Sequence, residues 1–596
     1  MKMYKLKERV KNFLKGLTQK QLVALALGVT GAIGAGTVVS FFYRNIYKKY
    51  LVCRLKVAPH HAKEIPRATP FDYVIIGGGA GGCVLAARLS ENPKMNVLLL
   101  EAGHSDANLE AKVPIAFPQM FKKEHDWNYE SQPEASLDGK CMYSPRGKLL
   151  GGSTNMNAHI YNRGHPEDYN EWANITGDDS WRYEEVLKYF KKSEKQTNPQ
   201  MDQQYHGSKG ELYVTDQMEP HNMTHFLIES QDVGFNPDSN AGYKQEGVGL
   251  VQRMTKYGER CSAADAFLNE RVLKRKNLVV KTNALVSRLS FSSDKKIEAV
   301  HYVAHGIPNK VLVRSEAILC AGAFNTPHVL MLSGVGPKKE LEKHGIPVVA
   351  HIPGIGQNLQ DHIMAGIGYE TDHESLCTKE NVWNLLQWLY NQTGPYVSNV
   401  VEAVGFFKSN EAEERPNIEA LIAPAYYRDN GFKKITDRNC FGAATVLLRP
   451  YSRGYLTLRS NKPTDPIDIH FNFLSDSRDR QALIDGFKRV RSWFQRDPIA
   501  AYCKKELLPG DDVQTDEQLL AYLKEELMTV YHPSCTCRMG SLDDEMTVVD
   551  SNGLLREVSG VRIVDASIMP NVVAGHTTAP VYMMAEKIAD VIKAFW

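Results

Sequence analysis

The sequence is poor in cysteine, in net charge and in long apolar runs, and each shortage excludes a class of protein. Ten cysteines are scattered over 596 residues, too few for a disulfide scaffold. His532, Cys535 and Cys537 lie close together, but no second ligand pair follows at zinc-finger spacing, so no metal is expected. Only one uncharged run is also apolar enough throughout to span a bilayer, which rules out a polytopic membrane protein. With 43% apolar and 23% charged residues, the composition is that of a globular chain, neither disordered nor collagen-like. The length suggests two or three lobes.

Net charge is +2, from 71 basic and 69 acidic residues. That sum conceals a split. Residues 1–69 hold 14 Lys and Arg against two acids, Glu8 and Glu64, leaving 57 basic and 67 acidic residues for the rest. A basic tail on an acidic body points to an anionic membrane or an import machinery as the tail's partner. Nucleic acid is not an expected partner, because phosphate contacts need a basic face.

Leu22 to Phe42 carries no charge. As a helix it spans about 31 Å, the thickness of a bilayer core. Lysines precede it, while Arg44, Lys48 and Lys49 follow with Tyr43, Tyr47 and Tyr50 at interfacial depth. Residues 22–42 are therefore expected to form a single transmembrane helix in contact with membrane lipid. Residues 1–21 form a basic amphipathic segment with Met3, Leu6, Val10, Phe13, Leu14 and Leu17 on one face. Residues 43–70, with Pro59, Pro66 and Pro70, are a linker.

A dinucleotide fold is expected from residue 71. The apolar strand Phe71 to Ile76 runs into Gly77, Gly79 and Gly82 in G-x-G-x-x-G spacing. A helical stretch, Val84 to Leu89, and a second strand, Val97 to Leu100, lead to Glu101. The glycines permit a tight turn and close approach to a pyrophosphate at the helix N-terminus. An acid 19 residues beyond Gly82 suits a ribose hydroxyl and favours FAD or NAD over NADP. Physics alone leaves FAD and NAD open here.

Further motifs carry a family resemblance. The stretch Pro145-Arg146-Gly147-Lys148-Leu149-Leu150-Gly151-Gly152-Ser153-Thr154-Asn155-Met156-Asn157 resembles the first signature of the glucose-methanol-choline (GMC) flavin oxidoreductases. Gly322 to Pro327, running on to Gly336, looks like their second signature. Gly356 to His362, Leu448 to Gly454, Tyr531-His532-Pro533 and Val564 to Pro570 are also family-like. The run Tyr531 to Gly540 is most similar to choline dehydrogenase-like members. The resemblance covers residues 71–596 and implies FAD. It also implies an α/β chain (α+β overall), with a Rossmann-like FAD-binding domain and a substrate domain on an antiparallel sheet. The expected divisions are residues 71–365 and 530–596 for FAD and 366–529 for substrate.

By the same resemblance, Asn157 sits near the flavin, Val286 near the adenine, and Asp565 with Ala566 near the pyrophosphate or ribityl chain. Gly151 and Gly152 permit backbone to pass close to a flat ring. Family members with covalent FAD carry histidine at the position of Met156, so dissociable FAD is expected. His532 and His576 match the family's catalytic pair. One imidazole accepts the hydroxyl proton as hydride leaves for flavin N5, and the second orients the hydroxyl. The resemblance implies His532 as base and His576 as its partner. Choline dehydrogenases show asparagine at the latter position, which puts choline in doubt.

The resulting expectation is a membrane-anchored, FAD-dependent dehydrogenase of a small-molecule alcohol, passing electrons to an acceptor such as a membrane quinone. Choline dehydrogenase proper, an oxygen-using oxidase and a catalytically silent flavoprotein scaffold are the alternatives. The Lys-rich start favours the mitochondrial inner membrane over the endomembrane system.

Overall fold

The computed structural model describes residues 70–106 and 108–596. Expectations for residues 1–69, including the helix over 22–42, lie outside the described residues. Among the described residues, no helix is long and apolar enough to cross a membrane.

The chain opens on Phe71–Ile76, six consecutive buried residues. A run without polar alternation suits a strand covered on both faces. It pairs in parallel with Val97–Leu100 on one side and Ile307–Leu319 on the other. Leu278–Lys281 extends the parallel region beyond Val97–Leu100. Ile297–Ala304 and Ala284–Phe291 continue the sheet antiparallel. Val561–Ile563 returns from almost 250 residues away to pair with Ala317, Ile318 and Leu319. The sheet is mixed.

Helix Ala80–Leu89 follows the first strand and is buried on nearly every side. Its Arg88 reaches Glu586 on the terminal helix Thr578–Lys593, with Nη2 2.6 Å from Oε1. This buried ion pair ties the first helix of the fold to the last. It also fixes the segment just before Thr578, where His576 lies.

A second, antiparallel sheet has the order Glu506–Leu508, Ile363–Thr371, Asn439–Leu447, Ile418–Ala423, Ala403–Phe407, Gly247–Leu250. Helix Ser477–Trp493 covers it, with Gly486 against Ile418 and the Trp493 ring 5.4 Å from that of Phe407. The structure differs here from the expected division of the chain. Residue 365 falls inside Ile363–Thr371, and Gly247–Leu250 joins the second sheet from within residues 71–365. An edge strand recruited across some 150 residues has partners that no local pattern reveals.

Candidate active site

The glycine turn is shaped by contacts that leave no room for side chains. Gly77 has φ +102°, and a Cβ there would lie 2.5 Å from the Cys320 carbonyl oxygen. A Cβ on Gly82 would fall 1.9 Å from the Gly77 carbonyl oxygen, so Gly82 sets how closely helix and strand pack. Gly79 is the helix N-cap and supplies no side-chain cap, leaving first-turn N–H groups for a ligand. Gly152, at φ +54°, brings the second glycine segment against Gly79. Gly151 donates its N–H to the Gly78 carbonyl at 2.7 Å.

These elements border a groove of about 370 Å³. Gly77, Gly79, Glu101, Gly152, Val286, Asp565 and Ala566 all line it. Gly82 and Gly151 instead act through backbone packing behind the wall. The buried Glu101 carboxylate accepts N–H bonds from Gly78 at 2.7 Å and Gly103 at 2.8 Å. Burial nevertheless pushes its pKa up to about 7. Asp565 accepts from Gly322 N at 2.8 Å, Thr326 Oγ1 at 2.6 Å and Ser567 N at 2.8 Å. It therefore knits the second signature to the C-terminal segment, and burial raises its pKa. A glycine cradle that any Cβ would fill, a buried acid and a long groove fit FAD.

A second cavity, of about 170 Å³, shares Arg146, Ser153, Thr577 and Thr578 with the groove. His532 and His576 line it together, their ring centroids 4.8 Å apart and their planes at 78°. Asn157 also lines it, its Oδ1 accepting from Arg260 Nη1 at 2.7 Å. Met156 is a buried part of the same wall.

His532 follows Tyr531, which is held at φ +66°. That left-handed geometry is costly for an aromatic residue. It is supported by the Tyr531 N–H bond to Thr529 Oγ1 at 2.6 Å and by Arg146 Nη2 donating to the Tyr531 carbonyl. The His532 N–H donates to Asp361 Oδ1 at 2.7 Å. Burial lowers the His532 pKa well below 6.5, and His576, His362 and Arg146 act in the same direction. The ring is therefore neutral at physiological pH, the form that accepts a proton.

Three functional neighbours were not singled out from sequence. His362 Nδ1 lies 3.0 Å from His532 Nδ1, and burial drops the His362 pKa to about 3. With both rings neutral, a His532 that donates Nδ1–H to His362 keeps Nε2 as the open acceptor. Glu419, fully buried on Ile418–Ala423, places Oε1 2.9 Å from His576 Nε2. This bond leaves His576 Nδ1 for a ligand. Burial pushes the Asp361 carboxyl up to about 7, opposed by Arg146. Asp361 and His362 stand in a motif that the sequence reading noticed without a role. Glu419 lies in an ordinary strand and carried no signal.

A glycine-lined nucleotide groove meeting a cavity with two imidazoles defines a dinucleotide-dependent oxidoreductase. The chain belongs to the GMC oxidoreductase family, whose descriptions match residues 71–364 and 450–585. Its cofactor is accordingly FAD, and it is an enzyme of the alcohol-dehydrogenase class. It is 38% identical to the mitochondrial choline dehydrogenase of Mus musculus, covering 88% of this chain and 89% of that one. It is also 38% identical to an alcohol dehydrogenase (acceptor) of Pseudomonas putida, covering 88% and 95%. Among solved structures, pyridoxine 4-oxidase from Mesorbium loti superposes with TM-score 0.81 at 30% identity, covering 88% and 99%.

Proposed function

We propose that this chain oxidises the CH–OH group of an alcohol to an aldehyde or ketone and passes the electrons to an acceptor other than oxygen. The observation that carries the reading is the His532–His576 pair in the wall where the two cavities meet. FAD, when bound, supplies the hydride acceptor. Gly77, Gly79, Glu101, Gly152, Val286, Asp565 and Ala566 would hold it, Gly82 and Gly151 would shape the turns behind them, and Asn157 lines the adjoining substrate cavity. His532 Nε2 removes the hydroxyl proton, and His362 keeps that nitrogen unprotonated beforehand. His576, oriented by Glu419, hydrogen-bonds the substrate oxygen as negative charge develops on it.

Met156 offers no nucleophile for a covalent flavin bond, so FAD is dissociable. Acid precipitation should leave flavin in the supernatant, and flavin in the pellet overturns this. Residues 22–42 anchor the enzyme in a membrane, which brings a quinone acceptor within reach. The basic residues 1–21 and the mitochondrial choline dehydrogenase of mouse support the mitochondrial inner membrane. Carbonate-resistant membrane association that is lost on deleting residues 1–70 is the expected result, and retention by the truncated chain opposes it.

Choline is the second reading. It is favoured by the aromatic wall of the cavity, where Phe121 and Tyr531 lie 5.6 Å apart and Phe117 and Tyr427 6.4 Å apart. The deciding experiment is anaerobic bleaching of the bound flavin by a panel of choline, sugars and aliphatic, aryl and sterol alcohols. Peroxide yield in air separates dehydrogenase from oxidase. Failure of every alcohol to bleach the flavin would refute the reading.

A further inference from the structure

The cavity beyond the imidazole pair has a lopsided chemistry. Its walls are aromatic and aliphatic, with Phe117, Phe121, Met364 and Leu421 among them. Its floor is the second sheet, where Gly366, Gly368 and Gly442 line the space. A Cβ on Gly368 would stand 3.4 Å from Tyr426 Cδ2, and one on Gly366 3.7 Å from the Tyr427 carbonyl oxygen. These glycines thus keep a slot between sheet and tyrosines that larger side chains would close. The tyrosine hydroxyls are already engaged: Tyr531 Oη donates to Asn430 Oδ1 at 2.7 Å, and Tyr427 Oη lies 3.3 Å from Tyr531 Oη.

The charged lining has one sign. Arg146 lines the cavity, and among the described residues no Asp or Glu does. The guanidinium donates to the carbonyls of Pro145 and Tyr531. Glu419 is committed to His576 and Asp361 to the His532 N–H, and neither lines the cavity. A quaternary ammonium entering this space would lose its hydration without gaining a counter-ion in the lining itself, because Glu419 and Asp361 stand behind it on His576 and the His532 N–H. A desolvated aromatic face returns roughly thirtyfold in affinity, which a buried cation must set against its lost hydration. A guanidinium within about 12 Å costs a cation roughly tenfold at an effective dielectric near 20.

We propose that the cavity selects an uncharged alcohol with an apolar body, and that Arg146 together with the carboxylate-free lining excludes cationic alcohols such as choline. This rests on the alcohol-oxidising reading given above. The apolar slot takes the body of the substrate, and its CH–OH end meets His532 and His576.

The test compares choline with its dimethylbutanol isostere, in which a quaternary carbon replaces the ammonium nitrogen. Both are offered to the purified holoenzyme without oxygen, and flavin reduction is followed by stopped flow. The isostere should reduce the flavin with kcat/KM roughly tenfold or more above choline. In Arg146→Met, that ratio should shrink by about tenfold. Choline outrunning the isostere in the unmodified enzyme overturns the proposal and leaves alcohol oxidation standing. Failure of the isostere and of every other alcohol to reduce the flavin overturns the underlying reading as well.

Discussion

Glu419→Gln isolates an electrostatic contribution that the structure quantifies. Glu419 Oε1 is 2.9 Å from His576 Nε2, and the His576 and His532 rings are 4.8 Å apart. The carboxylate therefore lies within roughly 9 Å of the ring that becomes cationic on taking the proton; at an effective dielectric near 20, that separation is worth about 2 kcal/mol. His362 and Arg146 already oppose a positive charge on His532, so Glu419 supplies the opposing anion. The amide is isosteric and keeps an oxygen for the His576 N–H, so folding and FAD content should be preserved. Loss of about 2 kcal/mol slows flavin reduction roughly 30-fold. Anaerobic stopped flow with a saturating alcohol reads this directly, and the spectrum of the purified protein reports its flavin content. A reduction rate within threefold or so of the unmodified enzyme, at full flavin content, would refute the reasoning, because an anion at this range cannot act so weakly in a buried site.

Other expectations follow from the same geometry. Gly82→Ala forces a Cβ to within 1.9 Å of the Gly77 carbonyl oxygen, so the protein should purify without flavin and melt several degrees lower; a yellow protein of normal Tm contradicts it. Glu101 is held at about 7 by burial, and its ionised form is the better acceptor for ribose hydroxyls. Affinity of the flavin-free protein for FAD should therefore fall as pH drops through 7, roughly tenfold per unit, and Glu101→Gln should flatten the profile in fluorescence titrations. Glu586→Gln removes one of the carboxylates on the Arg88 guanidinium and leaves Glu211 on its Nη atoms. Glu586 is itself fully buried, so its loss should cost about 1 kcal/mol or more, visible as a lowered denaturation midpoint, and an unchanged midpoint speaks against the tie between first and last helices.

What was legible in the sequence was whatever rests on local pattern. The strand Phe71–Ile76, the glycine turn and the strand Val97–Leu100 occur where the apolar runs placed them, because a doubly covered strand leaves a continuous hydrophobic signature. The terminal helix, Thr578–Lys593, follows directly on the segment that carries His576. The first half of strand Ile307–Leu319 is an exposed hairpin arm without apolar alternation, so it leaves no sequence signature. Long-range pairing was opaque. Gly247–Leu250 finds its partner in Ala403–Phe407, and Glu419 meets His576 across 157 residues. The aromatic wall was also hidden: Tyr531 stands in a family-like motif, whereas Phe117, Phe121 and Tyr427 come from segments with no shared motif.

The central claim is that His532 removes the proton of an alcohol oxidised at a bound flavin, and His532→Ala tests it most directly. The variant should purify with a full complement of FAD, because His532 lines the substrate cavity and not the nucleotide groove. Its anaerobic flavin reduction should be slower by roughly a hundredfold or more. In the unmodified enzyme, kcat/KM should hold down to a pH well below 6.5, since burial keeps this imidazole neutral there. Reduction by the alanine variant at the unmodified rate, with flavin bound, would contradict the account.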